Sequence, residues 1–185
     1  MKKKTIYILL LTFFIAACGG PQQDNSATVG QSTTQPELKG QSGVVDETSD
    51  PDIVKTAVAS PDHKTLVAAV QAADLVDALS NAGPFTVFAP TDEAFGKLPE
   101  GTVEGLLKPE KKPDLKNILE YHTYVGNLKV DYMNDGQKYE QVNGGYITIS
   151  KNGDEVIVNG NAKVIGTVQT SNGIIHVVDN VLLPE

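Results

Sequence analysis

Residues 83–99 read GPFTVFAPTDEAFGKLP, and the reading of this stretch decides the fold. An apolar run ends at Pro90, whose ring drives Ala89 into extended geometry. Thr91-Asp92-Glu93 then has the chemistry of a helix start, a capping hydroxyl followed by two acids opposite the positive end of the helix dipole. In the extended part Phe85 and Val87 share one face and Thr86 and Phe88 the other, while Phe95 and Leu98 stand at i and i+3 on the helix. A strand therefore turns directly into a helix, and both can join one core. The stretch is a packing nucleus without evident chemistry, because a reactive site needs convergent titratable groups and only Asp92 and Glu93 are present.

On the N-terminal side the pattern is helical. Residues 52–60 form a short amphipathic segment with Ile53 and Ala57, and Val54 and Val58, paired at i and i+4. Ser60-Pro61 predicts an N-cap followed by proline at the first helical position, opening a helix that carries Leu66, Val70, Ala73, Leu75, Val76 and Leu79 as far as Asn81-Ala82-Gly83. Asp74 is a candidate cap for a separate last turn. His63 falls at the exposed start of this helix, where solvation or capping is its expected role.

On the C-terminal side, Thr102 predicts a cap for 103–107, and Asp114 caps a helix over 115–125 in which Leu115, Ile118, Leu119 and His122 recur at i, i+3, i+4 and i+7. That spacing turns His122 inward, as a neutral core residue bonded to backbone or a hydroxyl. From Leu128 the period becomes two. Leu128-Val130-Tyr132, 139–142, 146–150, 155–159, 162–170 and 174–183 read as strands, separated by Asn134-Asp135-Gly136, Asn143-Gly144-Gly145, Asn152-Gly153-Asp154 and Asn172-Gly173. Ile174, His176 and Val178 share a face, which makes His176 a packed, hydrogen-bonded residue, and Asp179 lies opposite. The residues alone predict one α+β domain over 52–185: helices first, then a meandering antiparallel sheet, with the Phe85 strand inserted among those of the C-terminal half.

The first 51 residues differ in character. Lys2, Lys3 and Lys4 precede an apolar run from Ile6 to Ala17, too short for a span of ~20 residues and suited to a secretory signal over 1–17. Ile15-Ala16-Ala17-Cys18 resembles the lipobox of bacterial lipoproteins, which implies lipidation of Cys18 and stable anchoring through several acyl chains. Residues 18–51 are polar and read as a lipidated cysteine and flexible tether of about 30 Å reach. Cys18 is the one cysteine, so the folded part has no disulfide, thiolate metal site or cysteine nucleophile, and about 135 residues must be stabilised by packing.

The chain carries 15 basic residues, all lysine, against 23 acids, a net charge of −8; loss of the signal lowers the balance to 12 against 23, or −11. Acidity and the absence of arginine disfavour nucleic-acid binding and charge-driven attraction to anionic membranes. Asp131 to Gly136 superficially suggests a calcium loop, but Met133 and Val142 occupy ligand positions, so neither a metal site nor a cofactor is expected. No GxSxG, HExxH, phosphate-binding loop or dinucleotide fingerprint is present, and the glycines fall at turns and helix ends; no enzyme is expected.

Three motifs carry a family resemblance. FTVFAPTDEAF (85–95) resembles the first signature box of fasciclin domains, NGIIHVVDNVLLP (172–184) the second, and Tyr121-His122 the tyrosine-histidine motif between them. The resemblance runs from about Asp52 to Pro184. It implies a fasciclin fold, N-terminal helices packed on a wedge of two small, mainly antiparallel sheets. It marks Thr91, Asp92, His176 and Asp179 as structural positions of the boxes, and Tyr121 and His122 as candidates for adhesion. Thr167 stands where many relatives carry an acid, and Gln141 where they carry threonine. The implied function is a non-catalytic, extracytoplasmic adhesion module, lipid-anchored in the cell envelope, most simply at the outer membrane. Its implied partners are a protein or polysaccharide at the cell surface, with weak homo-oligomerisation a further option. The alternative from another class is an envelope-associated small-molecule binder or stress-related protein, which would carry a preformed apolar pocket.

Overall fold

From Phe85 to Pro90 the chain is extended as strand β1, and at Thr91 it turns (φ −72°, ψ 164°) into helix α4 (Asp92–Gly96), the Thr91 hydroxyl accepting the Ala94 N–H at 3.2 Å. The strand-to-helix switch expected from Pro90-Thr91 is thus formed by a side-chain cap. The computed structural model describes residues 50–184; the signal, Cys18 and nearly all of the tether lie outside the described residues.

Three helices precede β1: α1 (Ile53–Ala59), α2 (Lys64–Ala72) and α3 (Val76–Ser80). Asp52 caps α1, its carboxylate accepting the Lys55 N–H at 2.8 Å. The helix expected after Pro61, with Asp74 as candidate cap of a separate last turn, is two helices, and the first starts at Lys64, not at a Ser60 cap. The break lies at Asp74, whose φ of 54° puts it in the left-handed region. The Leu75 N–H reaches back to Val70 O at 3.1 Å and the Asp74 N–H to Gln71 O at 3.1 Å, a helix-terminating pair in which aspartate takes the place usually filled by glycine. Two helices follow α4. In α5 (Thr102–Leu106) the cap residue is Gly101, not Thr102, and α6 spans Lys112–Tyr121.

Helix α6 stops short of the expected Val125. Thr123–Val125 form strand β2, pairing antiparallel with β1 so that Phe85 faces Val125 and Val87 faces Thr123. β-Branched and aromatic side chains beside a strand with a free edge favour extension over a further helical turn. The expected strand at 128–132 is instead a 3-10 turn, Val130–Tyr132. There the Leu128 N–H is engaged by the Thr86 hydroxyl at 2.9 Å, so a ladder cannot continue.

Five further strands complete the sheet: β3 (Lys138–Glu140), β4 (Tyr146–Asn152), β5 (Glu155–Val158), β6 (Ala162–Thr170) and β7 (Gly173–Val178). The expected wedge of two small sheets is replaced by one hydrogen-bonded order of seven strands, β2-β1-β7-β6-β5-β4-β3. Its two ends approach closure, since the Val142 N–H just beyond β3 donates to Thr123 O of β2 at 2.9 Å. All pairings are antiparallel except one, next to the β2 edge, where β1 and β7 run parallel from Phe85 opposite Gly173 to Pro90 opposite Val178.

This parallel pair is buried on both faces, as parallel pairs usually are. Val87, Ala89 and Ile175 face the helices, packing with Ile53, Leu66 and Leu119. Phe88 and Val178 face the opposite way, into a second core with Ile147, Ile149 and Leu182. The strands approach so closely at their start that a Cβ on Gly173 would lie 1.9 Å from Phe85 O. Gly96, by contrast, has open space and no positive φ. Gly173→Ala should therefore cost at least ~2 kcal/mol by forcing β1 and β7 apart, while Gly96→Ala should be neutral or slightly stabilising; urea-unfolding midpoints separate the two.

Candidate binding site

The tyrosine-histidine pair ends α6 and faces inward. Tyr121 is 3% exposed and His122 2%. His122 Nδ1–H donates to Ile118 O at 2.8 Å, and Nε2 accepts the Leu182 N–H at 3.0 Å. Its own carbonyl accepts the Phe88 N–H at 2.9 Å, so one residue ties α6, β1 and the C-terminal segment together. Burial pushes its pKa down to about 4, against the opposing pull of the Ile118 carbonyl. The Tyr121 hydroxyl donates to Tyr146 O at 2.9 Å and accepts from Asn159 Nδ2 at 2.9 Å. The inward position expected for His122 is what the helical spacing indicated.

His176 is fully enclosed. Its Nε2–H donates to Leu128 O at 2.8 Å, the Thr167 hydroxyl donates to Nδ1 at 3.0 Å, and its ring lies 5.5 Å from that of Phe88. Burial lowers its pKa against the opposing pull of the Leu128 carbonyl. His63 departs from expectation, because it is buried at 7% exposure, with Nδ1 paired to Ser60 Oγ at 2.7 Å. Burial lowers its pKa although Asp62, Asp92 and the Ala89 carbonyl pull the other way. The start of α4 is bonded to this helix start, Asp92 accepting the Lys64 and Thr65 amides and its own N–H donating to Asp62 O, a link that position in sequence alone does not reveal.

The box residues act across the chain. Asp92, expected to serve its own helix, also accepts the Thr65 N–H at 2.8 Å and the Lys64 N–H at 3.4 Å, capping α2. Desolvation would raise its carboxyl, but these bonds, with the Thr65 hydroxyl and the nearby His63, hold it below the ordinary carboxylate range. Asp179 accepts the Lys163 N–H at 2.7 Å, and its carbonyl accepts Lys97 Nζ at 2.6 Å. Gln141 is buried; its Nε2 donates to Tyr139 O at 3.1 Å, and its Oε1 has no partner. Asn172, read from sequence only as a turn, is a buried junction. Its Oδ1 accepts the Ile53 N–H at 3.0 Å, and its Nδ2 donates to Leu79 O at 2.8 Å and Asn81 O at 2.9 Å.

The open surface beside Tyr121 has a different chemistry. A groove of about 730 Å³ has Tyr146, Thr148 and Lys138 on its floor and Asn117, Asn143 and Asn159 around it. Strand alternation explains the floor: Ile147 and Ile149 point into the core, which leaves Tyr146 and Thr148 outward, and the β3 register places Lys138 opposite Thr148 and Glu140 opposite Tyr146. Tyr146 is 56% exposed, with its hydroxyl held by Glu140 Oε2 at 3.1 Å. Asn143 Nδ2 donates to Asn117 Oδ1 at 3.0 Å, joining two sides of the groove. Neither histidine nor carboxylate is among the groove's lining side chains. The sequence reading missed this site; its one signal was the recurrence of Asn-Gly at 143–144 and 159–160, two turns that the pairing of β3, β4 and β5 brings to one groove.

The histidines set the response to acid. Unfolded, His122 takes up a proton near 6.5; folded, only near 4. Its stabilising contribution is complete above pH 6.5 and is lost as pH falls from there toward 4, by ~3 kcal/mol. His63 and His176, also lowered by burial, add losses of the same sign. Urea midpoints should therefore fall steadily from pH 7 to pH 4.5, and His122→Gln, though less stable at pH 7, should show a shallower fall.

The Fasciclin domain family model matches residues 61–184. Protein sll1483 of Synechocystis sp. is 47% identical over 132 residues, covering 71% of this chain and 73% of that protein. The cell surface glycolipoprotein MPB83 of Mycobacterium bovis is 38% identical over 111 residues, covering 60% of this chain and 48% of that protein. Among solved structures, the FAS1 domain pair from the insect cell adhesion molecule Fasciclin I superposes with a TM-score of 0.66 at 20% identity, over 73% of this chain and 51% of that one, a likeness of fold. Two boxes paired as neighbouring parallel strands, a buried tyrosine-histidine turn and a family match over most of the chain agree: this chain belongs to the fasciclin domain family.

Proposed function

We propose that the chain is a non-catalytic binding module displayed outside the cytoplasm, tethered to the membrane through lipid on Cys18 and holding cell-surface, matrix or polysaccharide components. The observation that carries this reading is the open groove, lined by amides, a hydroxyl and an exposed ring, and by neither histidine nor carboxylate. All three histidines are buried, and His122 and His176 have both ring nitrogens committed to internal bonds. A relative named as a cell surface glycolipoprotein supports the same direction. Among the described residues no helix is long and apolar enough to cross a membrane, so the proposed attachment rests on Cys18.

Tyr121 and His122 enter this proposal as supports of the groove, since both are buried and the Tyr121 hydroxyl is bonded to Tyr146 O. The alternative, binding of a small apolar molecule, has a candidate cavity between α1, α2 and β1, lined by Val54, Val70, Leu79 and Val87. Its volume of about 30 Å³ is far below the ~300–1,000 Å³ of typical ligand sites. Cys18→Ser should move the protein from the membrane fraction to the soluble fraction and reduce attachment of cells to surfaces to the level of a deletion strain. Equal attachment by wild-type and deletion strains would overturn the adhesive reading.

A further inference from the structure

We infer that the groove over β3 and β4 is a subsite for an uncharged polysaccharide, with Tyr146 as the platform on which a sugar ring stacks; this rests on the binding role proposed above. Tyr146 has the form such a platform needs. The residue is 56% exposed, while its hydroxyl is fixed by Glu140 at one end of the strand pair. An exposed aromatic ring held at its hydroxyl presents a rigid apolar surface at small entropic cost, and the C–H face of a sugar ring matches it.

Around the platform stand groups that donate and accept in the manner of sugar hydroxyls. Among the described residues, Asn117 Nδ2 and Thr148 Oγ1 make no hydrogen bond, although each lines the groove. Asn143 and Asn159 are already oriented by internal bonds, Asn143 through Asn117 Oδ1 and the Gly145 N–H, Asn159 through Tyr121 and the Thr148 N–H. Amides fixed in this way cost little ordering on binding.

Charge and shape select the ligand class. Lys138 is the groove's single cation, and the chain carries −8 with no arginine fork for carboxylate or sulfate, so a polyanion is disfavoured. Peptide recognition relies on pockets for apolar anchors, and no leucine, isoleucine, valine, phenylalanine or methionine lines the groove. An uncharged chain of hydroxyl-bearing rings satisfies both restrictions.

The test is affinity electrophoresis of the purified domain through gels containing dextran, hydroxyethyl cellulose or soluble starch, with hyaluronate as the polyanion. The expected result is retardation by at least one neutral polymer, insensitive to added salt, and weakened about tenfold or more by Tyr146→Ala. Tyr132→Ala, at an even more exposed tyrosine outside the groove, should change nothing. Amide chemical shifts of Asn117, Thr148 and Asn159 should move on titration with the retarding polymer's oligosaccharide. Retardation by hyaluronate alone, by none of the polymers, or by a neutral polymer with Tyr146→Ala unchanged would overturn the inference. Loss of retardation with cell attachment intact removes the groove assignment only, whereas retardation with no attachment phenotype removes the adhesive role and leaves the groove.

Discussion

The parallel pairing of β1 with β7 is the constraint on which the other elements depend. It joins residues 85–90 to 173–178, so most of the domain is the loop that this one contact closes. Closing such a loop is entropically costly and must be offset on both faces at once, by the helical core around Val87 and Ile175 and by the inner core around Phe88 and Val178. The close approach explains the residues at its start. Gly173 lies where a Cβ would meet Phe85 O, and Asn172 beside it gathers the first amide of α1 and the last carbonyls around α3 into the same junction.

This accounts for two sequence boxes that are far apart along the chain yet similar in importance: they are adjacent strands of one pair. It also recasts the titratable residues within them. Asp92 caps a helix from another segment, Asp179 fastens the start of β6, and His176 bridges Thr167 to Leu128. His122 does the same between α6 and the C-terminal segment. Residues with reactive side chains in water are here the fasteners of a nearly closed sheet.

Much of this was legible from local pattern. Pro90-Thr91 marks the strand-to-helix switch, the helical period turns His122 inward, and alternation around His176 puts it on a buried face. What local pattern could not supply was anything set by a distant partner. Thr123-Tyr124-Val125 continues an amphipathic helix until β1 offers an edge to pair with. Leu128 to Tyr132 alternates like a strand, but Thr86 captures the Leu128 amide. Asp74 was legible as the place of a break, but not that it would end α2 from the left-handed region instead of capping the next turn. His63 is hydrophilic company for a helix start until the start of α4 bonds to it. The groove belongs to the same class, because Asn143 and Asn159 sit on separate turns and meet only when β3, β4 and β5 are in register.

Native-state amide hydrogen exchange tests the central role of the β1–β7 pair most directly. The account predicts that ladder amides of β1 and β7, including those of Val87 and Ile175, exchange only through global unfolding, with one shared free energy and denaturant dependence, while amides of β3 and the edge of β4 open at lower cost. If β1 and β7 amides instead exchange through local opening while β4 and β5 stay protected, the pair is not what holds the domain together.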